Sequence, residues 1–273
     1  MQMAGTPKFT PKPNSNILVI GAHPDDIKSV SGTMFKARET GCKISYLLMT
    51  KGEGLVGYTN RIKDPVVMGE VRVEELHRYL DKIGIGKKNL ISFGLPNTDR
   101  ALPSICEAYY SKKGDPYFDT MLNNDHVFYK DVEVKNLPYR GEDVVSLLAK
   151  VIGRIKPDAI YTHHPYDHHI DHRSVVFLVR RALKELKGAK KLKKVPSLYG
   201  VLVYYYGFKW PPKEKFFWSN KLSGYFPGCT PMQVKLSKEE FEEKQNAAMI
   251  FTPTLSVEYI HEHMKQDEVI WKI

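Results

Sequence analysis

Cysteine is nearly missing from this sequence: Cys42, Cys106 and Cys229 are the only three in 273 residues, far apart and odd in number. Such usage argues against a disulfide framework and a thiolate metal site, and a reducing, cytoplasmic compartment is the simplest expectation. Long apolar runs are missing too, and none approaches the roughly 20 residues that span a bilayer. The opening stretch MQMAGTPKFTPKPNSN has lysines and prolines but no apolar core, so it does not read as a secretory signal. Residues 1–15 read as a flexible arm. Internal repeats and low-complexity tracts are lacking as well.

A hydrophobic share of 42% is that of an ordinary globular protein with a buried core. The net charge of +10 raises nucleic acid as a partner. The lysines, however, are dispersed, and the densest run, KELKGAKKLKK (Lys184 to Lys194), has the pattern of a solvated helix end. Neither a nucleic-acid nor a membrane partner is predicted.

Short apolar runs alternate with amphipathic ones. Strands are predicted over Asn16 to Ala22, Lys43 to Thr50, Asn89 to Gly94, Asp158 to His163 and Ser197 to Tyr206. Helices are predicted over Asp26 to Thr40, Met68 to Gly84, Glu142 to Lys156 and Asp171 to Lys187. This alternation predicts an α/β fold, a doubly wound, mostly parallel (Rossmann-like) sheet with helices on both faces. Residues 101–138 lack a clear period and read as a long loop insertion near the site. Residues 207–273 form a C-terminal extension, and the whole chain, 1–273, reads as one domain.

Two His/Asp clusters follow predicted strands directly: HPDD at His23 to Asp26, and HHPYDHHIDH at His163 to His172. In a parallel sheet both belong on the rim beyond the carboxyl ends of the strands. His23 and Asp26 are three apart at a turn stiffened by Pro24; His169 and His172 are three apart on a first helical turn. Zinc favours imidazole and carboxylate donors and keeps one position open for water at a catalytic site. His23, Asp26 and one imidazole of the second cluster would make such a set. The competing readings are a helix cap for Asp25 or Asp26 and an incidental polar loop for the histidines. The doubling of the pattern favours metal.

GEGLVG, Gly52 to Gly57, matches the dinucleotide fingerprint literally and follows a strand. It is followed by YTNRIKDPVV, which contains Pro65 and lacks apolar helical spacing. A glycine-rich loop over the site is therefore the preferred reading.

The motifs AHPDD (Ala22 to Asp26), TKGEG (Thr50 to Gly54), RVEE (Arg72 to Glu75) and HHIDHR (His168 to Arg173) resemble those of the PIG-L/LmbE family of zinc-dependent N-deacetylases. Within it the resemblance is strongest to archaeal diacetylchitobiose deacetylases, and it extends to about Arg181. The resemblance implies Zn2+ held by His23, Asp26 and His172, with Asp25 as general base. It further implies that a protonated His169 stabilises the oxyanion, that Asp171 orients a histidine, and that Arg72 holds the sugar. Two positions depart from the family pattern. Ile27 and Lys28 stand where a glutamate usually follows the aspartates, and Asp167 stands where some relatives have tyrosine, with Tyr166 beside it.

The implied reaction is hydrolysis of the N-acetyl group of a small GlcNAc-containing sugar, such as N,N'-diacetylchitobiose, releasing acetate. The rival readings are a metal-dependent phosphoesterase, a nucleotide-binding module using GEGLVG, and a non-catalytic sugar-binding protein. A two-metal phosphoesterase needs more carboxylates than these motifs bring together. His261 and His263 have no assigned role: they are either surface histidines or border a site, that of this chain or of a neighbouring subunit in a homo-oligomer.

Overall fold

The computed structural model describes residues 8–59, 61–98, 100–108, 114–206, 225–262, 264 and 267–273. Five strands run parallel: β1 (Asn16–Gly21), β2 (Lys43–Thr50), β3 (Leu90–Leu95), β4 (Ala159–His163) and β5 (Ser197–Val201). β6 (Thr230–Val234) and β7 (Glu268–Lys272) join antiparallel, giving the order β3-β2-β1-β4-β5-β7-β6. The doubly wound sheet expected from the sequence is present.

Its inner strands β1 and β2 are largely apolar and buried because both faces are covered. Along β1, Ile17 and Val19 pack to one side, against α1 (Ser31–Glu39), α2 (Pro65–Lys82), α6 (Lys238–Ala248) and α7 (Val257–Glu262). Leu18 and Ile20 pack to the other side, against α3 (Ala101–Ala108), α4 (Gly141–Ile155) and α5 (Ile170–Gly188). No helix among the described residues is long and apolar enough to cross a membrane.

Three expectations change. Pro65 does not oppose a helix but opens α2 at its first position, where its missing N–H costs nothing, and Asp64 caps that end by accepting the Val67 N–H. Residues 101–138 are not all loop: α3 lies there, with Leu102 and Ile105 fully buried. Pro103 is compatible with it because the first helical turn has no intrahelical acceptor for its N–H groups. The last predicted strand ends at Val201 rather than Tyr206. Beyond it the N–H groups of Val203 and Tyr204 are taken by the Asp167 carboxylate, at 2.7 and 3.2 Å, instead of a neighbouring strand.

β1 and β4 are adjacent at the centre of the sheet, and the chain leaves them in opposite directions, to β2 and to β5. Such a reversal opens a crevice at the carboxyl ends of the two strands. Both His/Asp clusters emerge there.

Candidate active site

The turn after β1 is closed by Asp26, whose Oδ2 accepts the His23 N–H at 2.6 Å. Asp25 makes no capping bond. The start of α1 is capped instead by Glu268 of β7, which accepts the N–H groups of Gly32 and Thr33, each at 2.7 Å. A helix cap is therefore not what Asp25 supplies.

The second cluster comes from the end of β4 and the first turn of α5. His163 Nε2 lies 3.1 Å from Asp26 Oδ2, His172 Nε2 lies 3.4 Å from Asp26 Oδ1, and His23 Nδ1 lies 3.6 Å from Asp26 Oδ2. Asp26 is thus ringed by three imidazoles. His163 stacks on His172 with ring centroids 3.7 Å apart, and its Nε2 accepts the Ala22 N–H. Among the described residues, two groups of donors could hold a metal ion, His23/His169/His172 and Asp26/His163/His172, the donor atoms of each lying within 4.8 Å of one another.

Carboxylates stand behind two of these rings. Asp171 Oδ2 lies 3.1 Å from His23 Nε2, and Asp167 Oδ1 lies 3.2 Å from His172 Nδ1. Asn97, at the exit of β3, donates to Asp171 at 2.8 Å. A histidine that turns one nitrogen to a carboxylate presents the other to a ligand, so His23 presents Nδ1 and His172 presents Nε2 towards Asp26. His172 is 0% exposed and neither of its ring nitrogens makes a well-directed hydrogen bond, Nδ1 lying beside Asp167 and Nε2 beside Asp26. Left so, a buried nitrogen costs about 1–3 kcal/mol, which a cation at this point would relieve.

The charges agree. Burial opposes protonation of His23 and His172, but the charges of Asp26 and Asp171 lift His23 to about 9, and those of Asp167 and Asp26 lift His172 to about 10. The cluster draws in positive charge. The residues therefore fit a divalent cation.

His169 differs. Its Nδ1 accepts the Asp171 N–H at 3.3 Å and so caps α5, which places the proton of the neutral ring on Nε2. Burial and the charges of His23 and His172 pull it down to about 3. With Nδ1 held by the Asp171 N–H, Nε2 is the atom of His169 left to donate.

Asp25 is buried, and both its oxygens are engaged by cations, Oδ1 by Arg72 Nη2 and Oδ2 by Lys28 Nζ. Burial alone would push its carboxyl up, but the charges of Lys28 and Arg72 hold it well below the usual carboxylate range. Arg72 also donates to the Gly52 carbonyl at 3.0 Å. A Cβ at Gly52 would lie 2.0 Å from Arg72 Nη1, and its φ of +80° is in the left-handed region, so this position requires glycine. GEGLVG opens no helix: Glu53–Gly57 is one 3-10 turn, and α2 begins only at Pro65.

Sequence reasoning placed His23, Asp25, Asp26, Arg72, His169, Asp171 and His172 in one site, and the structure brings them together. It missed His163, Asn97 and the partnership of Asp167 with His172. His261 is exposed, and His263 lies outside the described residues.

The chain matches the family described as PIG-L: GlcNAc-PI de-N-acetylase over residues 18–183, more than half its length. It belongs to the PIG-L family. Both His/Asp clusters lie inside the matched region. No curated protein matches the chain. Among solved structures it resembles N,N'-diacetylchitobiose deacetylase from Pyrococcus horikoshii, with 17% identity and a TM-score of 0.55 over 94% of this chain and 82% of that one. A deacetylase solved with teicoplanin, from the teicoplanin pathway, aligns at 15% identity and a TM-score of 0.57 over 94% and 97%. GalB, the 4-carboxy-2-hydroxymuconate hydratase of Pseudomonas putida KT2440, aligns at 15% and 0.56 over 92% and 82%. At such identities these likenesses establish the PIG-L fold, and the chemistry has to be argued from the site.

Proposed function

We propose that this chain removes the N-acetyl group from a small GlcNAc-containing sugar with one zinc ion, releasing acetate and the free amine. N,N'-diacetylchitobiose is the specific candidate. One observation carries the reading: His23 and His172 each turn one nitrogen to a buried carboxylate and the other towards Asp26. His23, Asp26 and His172 are then the ligands, two imidazoles and one carboxylate, a set that suits zinc and leaves a place for water. His163 supports them from beneath, its Nε2 already committed to the Ala22 N–H.

When bound, zinc polarises the acetyl carbonyl and brings the pKa of water towards about 7. Asp25, ionised and outside the ligand set, accepts the proton of the attacking water and passes it to the leaving amine. His169 donates its Nε2–H to the acetyl oxygen as charge develops there. Asp171 keeps the His23 ring oriented. Arg72 is assigned to the sugar, and its ion pair with Asp25 sets the base beside the bound substrate.

Acetate release from GlcNAc, diacetylchitobiose and long chitin, with and without chelator, tests this. Release should be faster from the small sugars than from chitin, be abolished by chelator and return with Zn2+. Release indifferent to chelator, or none from any N-acetylated sugar, contradicts it.

A further inference from the structure

Asp25 and Asp26 are neighbours in sequence, yet only Asp26 stands among the donors that fit a divalent cation; Asp25 is buried next to it and outside that set. Such an ion attracts both carboxylates, yet a hydrolytic metal needs a position free for water. Something has to keep one carboxylate away.

The two side chains have opposite surroundings. Asp26 faces the imidazoles of His163, His172 and His23. Asp25 faces only fixed cations among its hydrogen-bond partners, with Arg72 on Oδ1 and Lys28 on Oδ2. Lys28 is 1% exposed, and its ammonium lies 5.0 Å from the centroid of the Tyr259 ring on α7, so it has no route to solvent as an alternative to Asp25. Its place in the 3-10 turn, three residues after Asp25, brings it back onto that carboxylate.

We propose that Lys28 is a positioning residue that sorts this pair, holding Asp25 off the metal so that Asp26 alone supplies the carboxylate ligand. This rests on the metal-centre reading given above. Without the Lys28 charge, Asp25 becomes a buried anion short of one partner, and a cation held by the adjacent Asp26 draws its carboxylate over as the replacement. Asp25 then closes the position that water needs.

Co2+ serves as the probe, titrated into metal-free protein while its visible absorption is followed, with a competing chelator to give affinity. Lys28→Met should bind Co2+ on the order of 10-fold more tightly, through the lost repulsion and the added ligand. Its visible bands should also weaken as coordination number rises. Lys28→Gln, milder for folding, carries the same expectation. Lys28→Arg should restore the wild-type spectrum and affinity, and Lys28→Met/Asp25→Asn should lose the spectral change. A Lys28→Met or Lys28→Gln protein with wild-type spectrum and affinity, or with weaker binding, overturns the sorting role alone. Wild-type protein that takes up no Co2+ overturns the metal centre itself and this inference with it.

Discussion

Asp167 braces His172 from behind: its Oδ1 lies 3.2 Å from His172 Nδ1, while its Oδ2 accepts the Val203 N–H at 2.7 Å. One carboxylate thus ties the His172 ring to the chain just past β5. Asp167→Asn can keep its oxygen on the Val203 and Tyr204 N–H groups, but it sets an NH2 against the His169 N–H and His172 and loses the charge that fixes the ring. Partners of this kind are worth about 10–100-fold in metal affinity, and a loss of that size is expected for Zn2+. Chelator competition measures it, and turnover should recover in excess Zn2+.

His169 distinguishes the two donor groups. If its Nδ1 is held by the Asp171 N–H and its Nε2–H serves as a donor, His169→Gln should retain stoichiometric metal while kcat falls roughly 10²–10³-fold. Loss of metal in this variant would instead make His169 a ligand.

Much of this site was legible because its halves are local in sequence. His23 to Asp26 and His169 to His172 each lie on one turn, so spacing alone places their side chains together. His163 could not be read that way: its role arises from β4 pairing with β1, which sets its ring under His172 and its Nε2 on Ala22. Asn97 reaches Asp171 across 74 positions of sequence. The parallel core was equally legible, from apolar runs between helical ones. β6 and β7 were not, since TPMQV and EVIWK are five-residue segments whose antiparallel pairing leaves no local period.

The C-terminal strand β7 is part of the core's support. Glu268 caps α1 and pairs at 2.5 Å with Lys244 of α6, which is 2% exposed. Glu268→Ala leaves that ammonium buried and alone, and a loss of about 3–5 kcal/mol is expected. Urea unfolding checks this, and Glu268→Ala/Lys244→Met should recover part of the loss.

Glu53 should give stability a pH dependence of its own. Its Oε1 accepts the Tyr129 hydroxyl at 2.7 Å, and its Oε2 is buried without a partner. Burial lifts the carboxyl from 4.5 to about 7, against the opposing effects of Tyr129, Lys51 and Arg72. The folded state therefore holds this proton more tightly than the unfolded chain. Its contribution is complete below about 4.5 and is lost as pH rises through about 7. Glu53→Gln should gain on the wild type in Tm between pH 5 and pH 8. A Tm difference independent of pH would contradict this.

The division of labour between the two adjacent aspartates is the centre of the account, and metal content with acetate release for Asp25→Asn and Asp26→Ala tests it most directly. Asp26→Ala should lose both zinc and activity, because one of three protein donors is gone. Asp25→Asn should retain zinc and lose turnover by about 10²–10⁴-fold, because the amide cannot take a proton from water. Near wild-type turnover in Asp25→Asn, or its loss of zinc while Asp26→Ala keeps the metal, would contradict the account.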